Sequence, residues 1–508
     1  MSRLKNSVYN TIWALASNLS IALFGIVSRS IFVNILGDEL MGVNSLFADV
    51  ITLFSFVDMG FGTAISFSLY KPIAENNTEQ IGAVLRFLEK IFRVMAVLVA
   101  LICFVFFFFL DSLNTQIPLQ DLRVYYGIFA FNNVIGYLWS YRDTYVNAKQ
   151  EARKITAFST GFSFATTILQ IVIVLTVENF LFYLVANSVM IVIRKIVVNL
   201  YILKHYPETN LRNAPRISRE DANVIWGKSK SLAVHKIANL AISQTDSLIV
   251  SYMLSVKEWG FVSNYLMLKN TIGNVLAQIY SAILPSMGDL VAREEKSVQI
   301  HTFYVYDFLN FWMYGFCFVA LTTLSSPFVS LVFGPQRVID ASTVFVFFFS
   351  FFIAGLRDPI SILREANGAI DNDKQYTVLS AVVNLVASVA FVKLIGLPGV
   401  FMGTLCSTLV VLIARPIILF NQVYGVSSKP YFVVMVKYIV VAIIGYLITN
   451  FVVEQIANWL GITFIAFIVM TVSAAVLPNL VWCVIFFNNH NFRELIGIAV
   501  NFLKGKRS

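Results

Sequence analysis

The sequence predicts an all-α polytopic membrane protein of about fourteen transmembrane helices, built from two parallel six-helix repeats and two additional C-terminal helices. Three observations predict this fold class. Hydrophobic residues make up 58% of the 508 residues and charged residues 13%, with a mean hydropathy of +0.76, which is incompatible with a water-facing surface. Apolar runs of about 20 residues, long enough to cross a bilayer, recur along the chain. Finally, short motifs of the first half recur in the second.

The apolar runs form two groups of six, separated by a polar break, and a final pair outside the repeat. They lie near 9–35, 41–70, 89–111, 122–147, 155–176, 180–203, 229–253, 259–288, 303–325, 341–366, 375–395, 397–420, 431–451 and 459–487. We therefore expect four parts in the chain. They are an N-terminal six-helix lobe (1–204), a cytoplasmic linker (205–227), a second six-helix lobe (228–422), and two additional helices with a basic cytoplasmic tail (423–508).

Two pairs of similar segments, which we call sequence echoes, indicate that the two halves of the chain are copies of one unit. Tyr141-Arg142-Asp143 and Leu356-Arg357-Asp358 each place an Arg-Asp step late in an apolar run, about 215 positions apart. The segments 36–42 and 254–260 echo each other at nearly the same offset. Because each copy has an even number of helices, both copies are expected to have the same orientation, related by an axis along the membrane normal.

The distribution of Lys and Arg predicts that both termini of the chain are cytoplasmic. With that orientation most basic residues of the connections lie inside, and the outer connections hold little beyond Arg123, Lys257 and Arg337. Topology thus explains the net charge of +9, and nucleic acid is not an expected partner. The first apolar run is too long for a signal peptide and lacks a small-residue cleavage site, so we expect it to remain as a helix.

No spacing in the sequence indicates a metal centre, a cofactor or a catalytic site. The cysteines are Cys103, Cys317, Cys406 and Cys483, and the histidines are His205, His235, His301 and His490. The cysteines are scattered within apolar runs, and the histidines form neither H-x-x-H nor H-E-x-x-H, so no metal is expected. A membrane-embedded enzyme would need a carboxylate or histidine cluster and a sizeable surface loop, and the sequence indicates neither.

Ionisable residues inside the apolar runs are the candidates for function, because a charge at the bilayer centre costs about 2.5–3.5 kcal/mol. The predicted substrate-binding cations are Arg29, Arg142, Lys269 and Arg357. They come from both copies and suit an anionic substrate held between the lobes, since a guanidinium can bind phosphate oxygens bidentately. The carboxylates Asp49, Asp58 and Asp246 are expected either to balance the charge of the empty cavity or to bind a coupling ion, Na⁺ or H⁺.

The two Arg-Asp steps carry a further expectation about pairing. Successive helical residues point about 100° apart, so each charge is expected to find its partner on another helix. Other cations lie near the ends of apolar runs, where snorkelling to the interface and a functional role are equally compatible with the sequence. They are Arg194, Lys195, Lys236, Lys393 and Arg415.

Several segments resemble the polysaccharide transporters of the Wzx type, which belong to the multidrug/oligosaccharidyl-lipid/polysaccharide (MOP) exporter superfamily. The segments are 36–47, 58–64, 68–72 and 245–250. The likeness covers essentially the whole chain, but its motifs are glycines and turn positions rather than reactive groups. It implies a V-shaped pair of six-helix bundles. It also implies a flippase that moves an undecaprenyl-diphosphate-linked oligosaccharide from the inner to the outer leaflet of the cytoplasmic membrane by alternating access.

The resemblance implies a transporter rather than an enzyme, with the lipid-linked oligosaccharide, membrane lipids, a polysaccharide polymerase and glycosyltransferases as partners. A polar crevice open to the side lets the sugar head cross while the prenyl chain stays in lipid. The membrane potential favours outward passage of an anion by ~2.3 kcal/mol per charge per 100 mV, and a counter-ion cycle is equally compatible. The alternative is a multidrug exporter of the same fold that moves organic cations against H⁺ or Na⁺, and the buried Arg and Lys residues argue against it.

Overall fold

The computed structural model describes residues 20–58, 61–369 and 373–503, apart from some side chains within these ranges. Throughout this part of the chain the regular secondary structure is helical and contains no strand, which confirms the predicted all-α fold. Ten helical segments of the described residues are long and apolar enough to cross a membrane, one of them spanning Ala341–Ala366 and one Leu397–Tyr424, and Ser20–Ile35 is a shorter apolar helix. The expected total of about fourteen spans stays a prediction. The start of the first predicted run and the basic tail after residue 503 lie outside the described residues.

We number the α-helices of the described residues in chain order. They are α1 Ser20–Ile35, α2 Asp38–Phe54, α3 Phe61–Ala74, α4 Thr78–Phe107, α5 Leu119–Tyr137, α6 Ser140–Ala148, α7 Ala152–Thr176, α8 Phe180–His205, α9 Arg219–Met253, α10 Val256–Arg293, α11 Lys296–Phe333, α12 Ala341–Gly355, α13 Asp358–Ala366, α14 Lys374–Ile395, α15 Leu397–Pro416, α16 Lys429–Leu460, α17 Phe464–Phe486 and α18 His490–Leu503. A 3-10 turn over Ser55–Asp58 precedes α3, and a π-helix over Ile417–Tyr424 continues α15.

The chain divides into two compact units, Met1–Gly260 and Phe261–Ser508. This boundary follows α9, whereas the predicted linker precedes it, because α9 packs along α2 and α3. Helix α9 also begins ten residues before its apolar run near 229. The Ser218 hydroxyl accepts a 3.0 Å hydrogen bond from the Asp221 N–H and so caps the helix at Arg219. The predicted lobe boundaries themselves stay a prediction.

The segment between α8 and α9 is bonded to preceding helices of the first unit. The Glu208 carboxylate accepts a hydrogen bond from the Tyr145 hydroxyl and forms a 2.9 Å ion pair with Lys149. Burial raises the pKa of Glu208, but these two donors outweigh burial and hold that pKa below its usual value. The Arg86 guanidinium also donates to the Ala214 carbonyl. Part of the predicted linker is therefore fixed to the helices that precede it.

Two predicted runs of the first unit are broken helices. The run near 41–70 is interrupted by the 3-10 turn between α2 and α3. The run near 122–147 is interrupted between α5 and α6, where Leu138 is extended and Trp139 has a left-handed φ of 57°. A break frees backbone groups from the helical ladder, which a membrane protein tolerates where the break is covered by protein or lines a cavity.

The second unit contains a corresponding break, between α12 and α13 at Leu356 and Arg357. Arg142 and Asp143 lie in the first turn of α6, and Asp358 is the first residue of α13. Both Arg-Asp steps therefore lie where one helix ends and a short helix begins. The structure thus gives the sequence echo a common architectural context in the two units.

Small residues allow α14 and α15 to pack closely. A Cβ atom added to Gly403 would lie 2.2 Å from the Ser388 hydroxyl oxygen and 2.3 Å from its backbone nitrogen. The Ser388 hydroxyl donates to the Val400 carbonyl at 2.9 Å, and the Ser380 hydroxyl donates to the Ser407 carbonyl at 2.7 Å. Close backbone approach and hydroxyl bonds between helices stabilise pairs of helices in a membrane, where burial from water contributes little.

The segments 36–42 and 254–260, which echo each other in the sequence, meet in the first unit. A Cβ atom on Gly42 would lie 2.1 Å from the Val256 carbonyl oxygen. A Cβ atom on Gly260 would lie 2.8 Å from the Asp38 carbonyl oxygen and 3.0 Å from the Gly42 nitrogen. Both echoed glycines are therefore required by the same close contact between two backbones.

Candidate functional site

Arg29 and Asp49, two of the predicted site residues, are electrostatic neighbours in the first unit. Arg29 is half-buried on α1, and its interacting groups are Tyr183 on α8 and Asp49 on α2. Oδ2 of Asp49 also accepts a 2.9 Å hydrogen bond from the Trp259 indole. The structure therefore brings a predicted substrate-binding cation close to a predicted charge-balancing carboxylate.

The other two predicted carboxylates differ in how they are placed. Asp246 lies on α9 and is buried. Asp58 ends the 3-10 turn before α3, and its side chain lies outside the described part of the structure. The side chain of Lys236 on α9, one of the cations for which snorkelling was left open, also lies outside it.

Arg142 and Asp143 are both bonded to α8. Arg142 is 8% exposed, and its guanidinium donates to the Asn199 side-chain oxygen. Asp143 forms a 3.5 Å ion pair with Lys195, whose ammonium also donates to the Ser140 hydroxyl at 3.2 Å. Both charges of this Arg-Asp step therefore pair across helices, as the sequence predicts. The pairing also gives Lys195 a defined partner within the first unit.

The second Arg-Asp step pairs differently. Asp358 accepts a 2.7 Å hydrogen bond from the Tyr314 hydroxyl on α11, which agrees with the expected cross-helix partner. Arg357 instead donates through Nε to the Ala354 carbonyl at 3.1 Å. This carbonyl lies in the last turn of α12, where carbonyl groups lack the N–H donor that they have within a helix, and it accepts from both Nε and the backbone N–H of Arg357.

Lys269 lies half-buried on α10, and its ammonium is 4.7 Å from the centre of the Phe347 ring on α12. An ammonium over an aromatic face is stabilised by the ring quadrupole while keeping its charge. Each unit therefore contains two of the four predicted cations, and each of these is held within its unit by an identified neighbour.

A charged cluster that the sequence analysis missed lies close to Arg357. Asp373 is fully buried and accepts a 2.7 Å hydrogen bond from Nε of Arg415 on α15. It also forms an ion pair with Arg364, a buried residue of α13. Arg415 donates in addition to the Ser361 hydroxyl at 3.1 Å. We call Arg364, Asp373 and Arg415 the arginine cluster.

The charge balance of the arginine cluster is positive. Its two guanidiniums share the one carboxylate of Asp373. Outside the cluster, Arg415 also interacts with the cation Arg357 and with the carboxylates of Asp358 and Glu365. Burial raises the pKa of Asp373, but Arg415 and Arg364 outweigh burial and hold that pKa below its usual value. The sequence analysis selected neither Arg364 nor Asp373 as a candidate site residue. Arg415 was the available signal, because a cation in an apolar run needs a nearby counter-charge.

Asp307 is a second residue that the sequence analysis missed. It lies in the interior of α11, is 2% exposed, and its Oδ2 has no hydrogen-bond partner among the described residues. Among the described residues, its electrostatic neighbours are the tyrosines Tyr280, Tyr304, Tyr431 and Tyr438. A carboxyl group of this kind inside a membrane protein is a candidate for an ion pathway or proton relay. Its position among the apolar residues of a predicted span was the available signal.

Many apolar helices, broken helices and buried charges define the class of the protein, a multi-pass membrane protein with ionisable groups in its interior. Solved structures share this fold. The lipid II flippase MurJ in an inward closed conformation matches with a TM-score of 0.64 at 12% identity, over 95% of this chain and 99% of that one. An inward-facing MATE multidrug resistance transporter of the MOP superfamily matches with a TM-score of 0.62 at 16% identity, over 79% and 96%.

A third structure is a MOP superfamily transporter from Pyrococcus furiosus, described as having a binding pocket of reverse polarity that suggests a different function. It matches with a TM-score of 0.55 at 16% identity, over 81% of this chain and 94% of that one. No curated protein matches the chain. A family model described as polysaccharide biosynthesis protein matches residues 7–291, more than half of the chain, and the chain therefore belongs to this family. The three solved structures are described as two transporters and a flippase.

Proposed function

We propose that this protein is a flippase that translocates an undecaprenyl-diphosphate-linked oligosaccharide, the repeat unit of a cell-surface polysaccharide, from the inner to the outer leaflet of the cytoplasmic membrane. The observation that carries the proposal is the pair of helix breaks, each of which holds an arginine in the interior of a unit. Guanidinium groups held there suit the diphosphate that all such substrates share. Membership of the polysaccharide biosynthesis protein family supports the same substrate class.

In this proposal Arg29, Arg142, Lys269 and Arg357 bind the diphosphate. Arg142 and Arg357 lie at helix breaks, and Lys269 keeps its ammonium over an aromatic ring. Arg29 is the most informative of the four, because its neighbour Asp49 provides a counter-charge that an incoming phosphate would replace. Asp49, Asp58 and Asp246 balance the charge of the empty site or bind a coupling Na⁺ or H⁺. Both termini are cytoplasmic, and a polymerase and glycosyltransferases are the expected partners.

Arg29→Gln is expected to slow transport about 10- to 100-fold while membrane insertion remains normal. A hydrogen bond to a charged group contributes about 1.5–3 kcal/mol, and each 1.36 kcal/mol corresponds to about tenfold in rate. The measurement is transbilayer movement of a fluorescent undecaprenyl-diphosphate oligosaccharide in vesicles that contain the purified protein. The matched control is Arg293→Gln, because Arg293 is an exposed cation paired with Asp289, and this variant should transport normally.

Two results of this experiment would count against the proposal. The first is that the lipid-linked oligosaccharide crosses the bilayer equally fast in vesicles with wild-type protein and in empty vesicles. If this holds under imposed Na⁺, H⁺ and electrical gradients, it rules out the flippase function. Loss of Arg29→Gln from the membrane fraction would make Arg29 a structural residue. If wild-type movement depends on an imposed ion gradient, the gradient that accelerates it identifies the coupling ion.

The alternative is export of organic cations coupled to H⁺ or Na⁺. Asp307 is the observation that favours it, because a carboxyl group among tyrosines provides both a negative charge and aromatic faces for a cation. The same vesicles test this alternative through the efflux of a fluorescent organic cation. Efflux that requires Asp307 and is unaffected by Arg29→Gln would favour the exporter over the flippase.

A further inference from the structure

The second unit contains a group of potential metal ligands that does not involve the buried charges. His301 lies near the start of α11, and His490 and Glu494 lie in the first two turns of α18. One ligand atom from each residue lies within 4.8 Å of the other two. The two histidines are separated by almost 190 residues in the sequence, so no spacing motif could reveal them. We propose that His301, His490 and Glu494 bind a divalent transition metal ion, most favourably Zn²⁺, and thereby fasten α18 to α11.

The distances between the ligand atoms fit a tetrahedral metal. Oε2 of Glu494 lies 3.1 Å from Nε2 of His301 and 3.6 Å from Nε2 of His490. Zinc binds imidazole nitrogen and carboxylate oxygen at about 2.0–2.2 Å, so two ligand atoms of a tetrahedral site lie roughly 3.4 Å apart. The two observed distances lie on either side of this value. The ligand atoms of the two histidines lie within 4.8 Å of each other, and rotation of these exposed side chains would complete the arrangement.

Helix geometry places the three side chains together before any metal binds. His490 and Glu494 are four residues apart and so lie on the same face of α18. The rings of His301 and His490 have their centres 5.7 Å apart. Preorganisation of this kind lowers the entropy cost of binding an ion.

Neighbouring contacts hold α18 in register with α11. The Phe492 ring stacks on Trp312 with ring centres 5.4 Å apart, and the Asn491 side chain donates to the Tyr304 carbonyl at 3.2 Å. Because these contacts join the same two helices as the three ligands, the position of α18 does not depend on the metal alone. Metal binding is expected to restrict the opening of this helix rather than to fold it.

The ligand set and its exposure indicate which metal fits. Two imidazoles and one carboxylate suit Zn²⁺ and similar first-row ions, whereas Ca²⁺ and Mg²⁺ prefer oxygen ligands alone. The side chains of His301 and His490 are 49% and 78% exposed, so water can occupy the fourth position. The proposed site is therefore open and exchangeable.

The test uses tag-free full-length protein in detergent, treated with a chelator and titrated calorimetrically with Zn²⁺. We expect one zinc ion per chain, and Co²⁺ in place of Zn²⁺ should give the visible absorption of a tetrahedral site. His490→Ala and Glu494→Gln should each weaken zinc binding at least tenfold. The matched control is His205→Ala, since His205 is a histidine of the first unit that contacts the Tyr201 carbonyl, and it should bind zinc as the wild type does.

A second readout measures the fastening of α18 independently of affinity. Zinc should slow proteolytic cleavage between α17 and α18 in the wild type and in His205→Ala, but not in His490→Ala. Two results would overturn the proposal. One is zinc binding no stronger than in the His490→Ala, Glu494→Gln double variant. The other is saturable binding that leaves cleavage unchanged. If zinc binding were no stronger than in the double variant, Glu494 would serve only as a hydrogen-bond acceptor for the two histidines.

Discussion

Asp373→Asn is expected to destabilise the second unit by about 3–5 kcal/mol, the cost of removing one partner from a buried ion pair. The substitution keeps the size of the side chain but removes the only carboxylate of the arginine cluster, and Arg364 and Arg415 would remain close together without their counter-charge. The measurement is thermal unfolding of the purified protein in detergent, followed by loss of monodisperse protein after heating. The midpoint should fall by several degrees.

The matched control for Asp373→Asn is Asp289→Asn. Asp289 also pairs with an arginine, Arg293, but both side chains are more than half exposed, and exposed pairs contribute about 0–1 kcal/mol. Equal midpoints for the two variants would contradict the account of the arginine cluster. Adding Arg364→Met to Asp373→Asn should recover part of the lost stability, because one uncompensated guanidinium is then removed.

Gly403→Ala is expected to destabilise the protein by about 3 kcal/mol, at the upper end of the range for overpacking. The added methyl group would lie 2.2–2.5 Å from atoms of Ser388, two of them backbone or Cα atoms. Rotation of a side chain cannot relieve that overlap, so α14 and α15 would have to separate and the bond from Ser388 to the Val400 carbonyl would lengthen. The same thermal unfolding assay measures the effect.

Gly161→Ala provides the control for the glycine experiment. Gly161 is also in a helix, α7, but a Cβ atom there would meet nothing within 4 Å. Alanine favours a helix over glycine by about 1 kcal/mol, so this variant should be as stable as the wild type or slightly more stable. Opposite signs for the two Gly→Ala variants are the expected result, and a loss of stability at both positions would indicate a general effect of losing glycine.

The sequence predicted the class of fold because hydropathy acts over whole segments. Broken helices were not foreseen, because an apolar run has the same composition whether or not it contains a break. The break at Trp139 depends on one left-handed residue, and that at Arg357 on the local backbone between two helices. The repeated Arg-Asp step correctly indicated an unusual local structure in each half of the chain. It did not reveal that a helix ends at each of these steps.

The sequence predicted residues of the candidate site only where a single residue was unusual by itself, as a charge within an apolar run is. Arg29 and Asp49 stood out as charges in apolar runs, and the structure makes them neighbours. The arginine cluster was missed because its members come from three parts of the chain, and the buried Asp373 follows a polar segment that reads as a loop. Burial of a charge near the end of a helix depends on tertiary packing, which residue type and spacing do not specify.

The contact between Gly42 and Gly260 fixes the register of the two echoed segments. Each glycine lies against the backbone of the other segment: a Cβ atom on Gly42 would overlap the Val256 carbonyl, and one on Gly260 would overlap the Asp38 carbonyl. Sliding one segment along the other by a residue would bring a residue with a side chain against one of these carbonyls. The two glycines therefore act together as a stop that allows the segments to meet in one alignment.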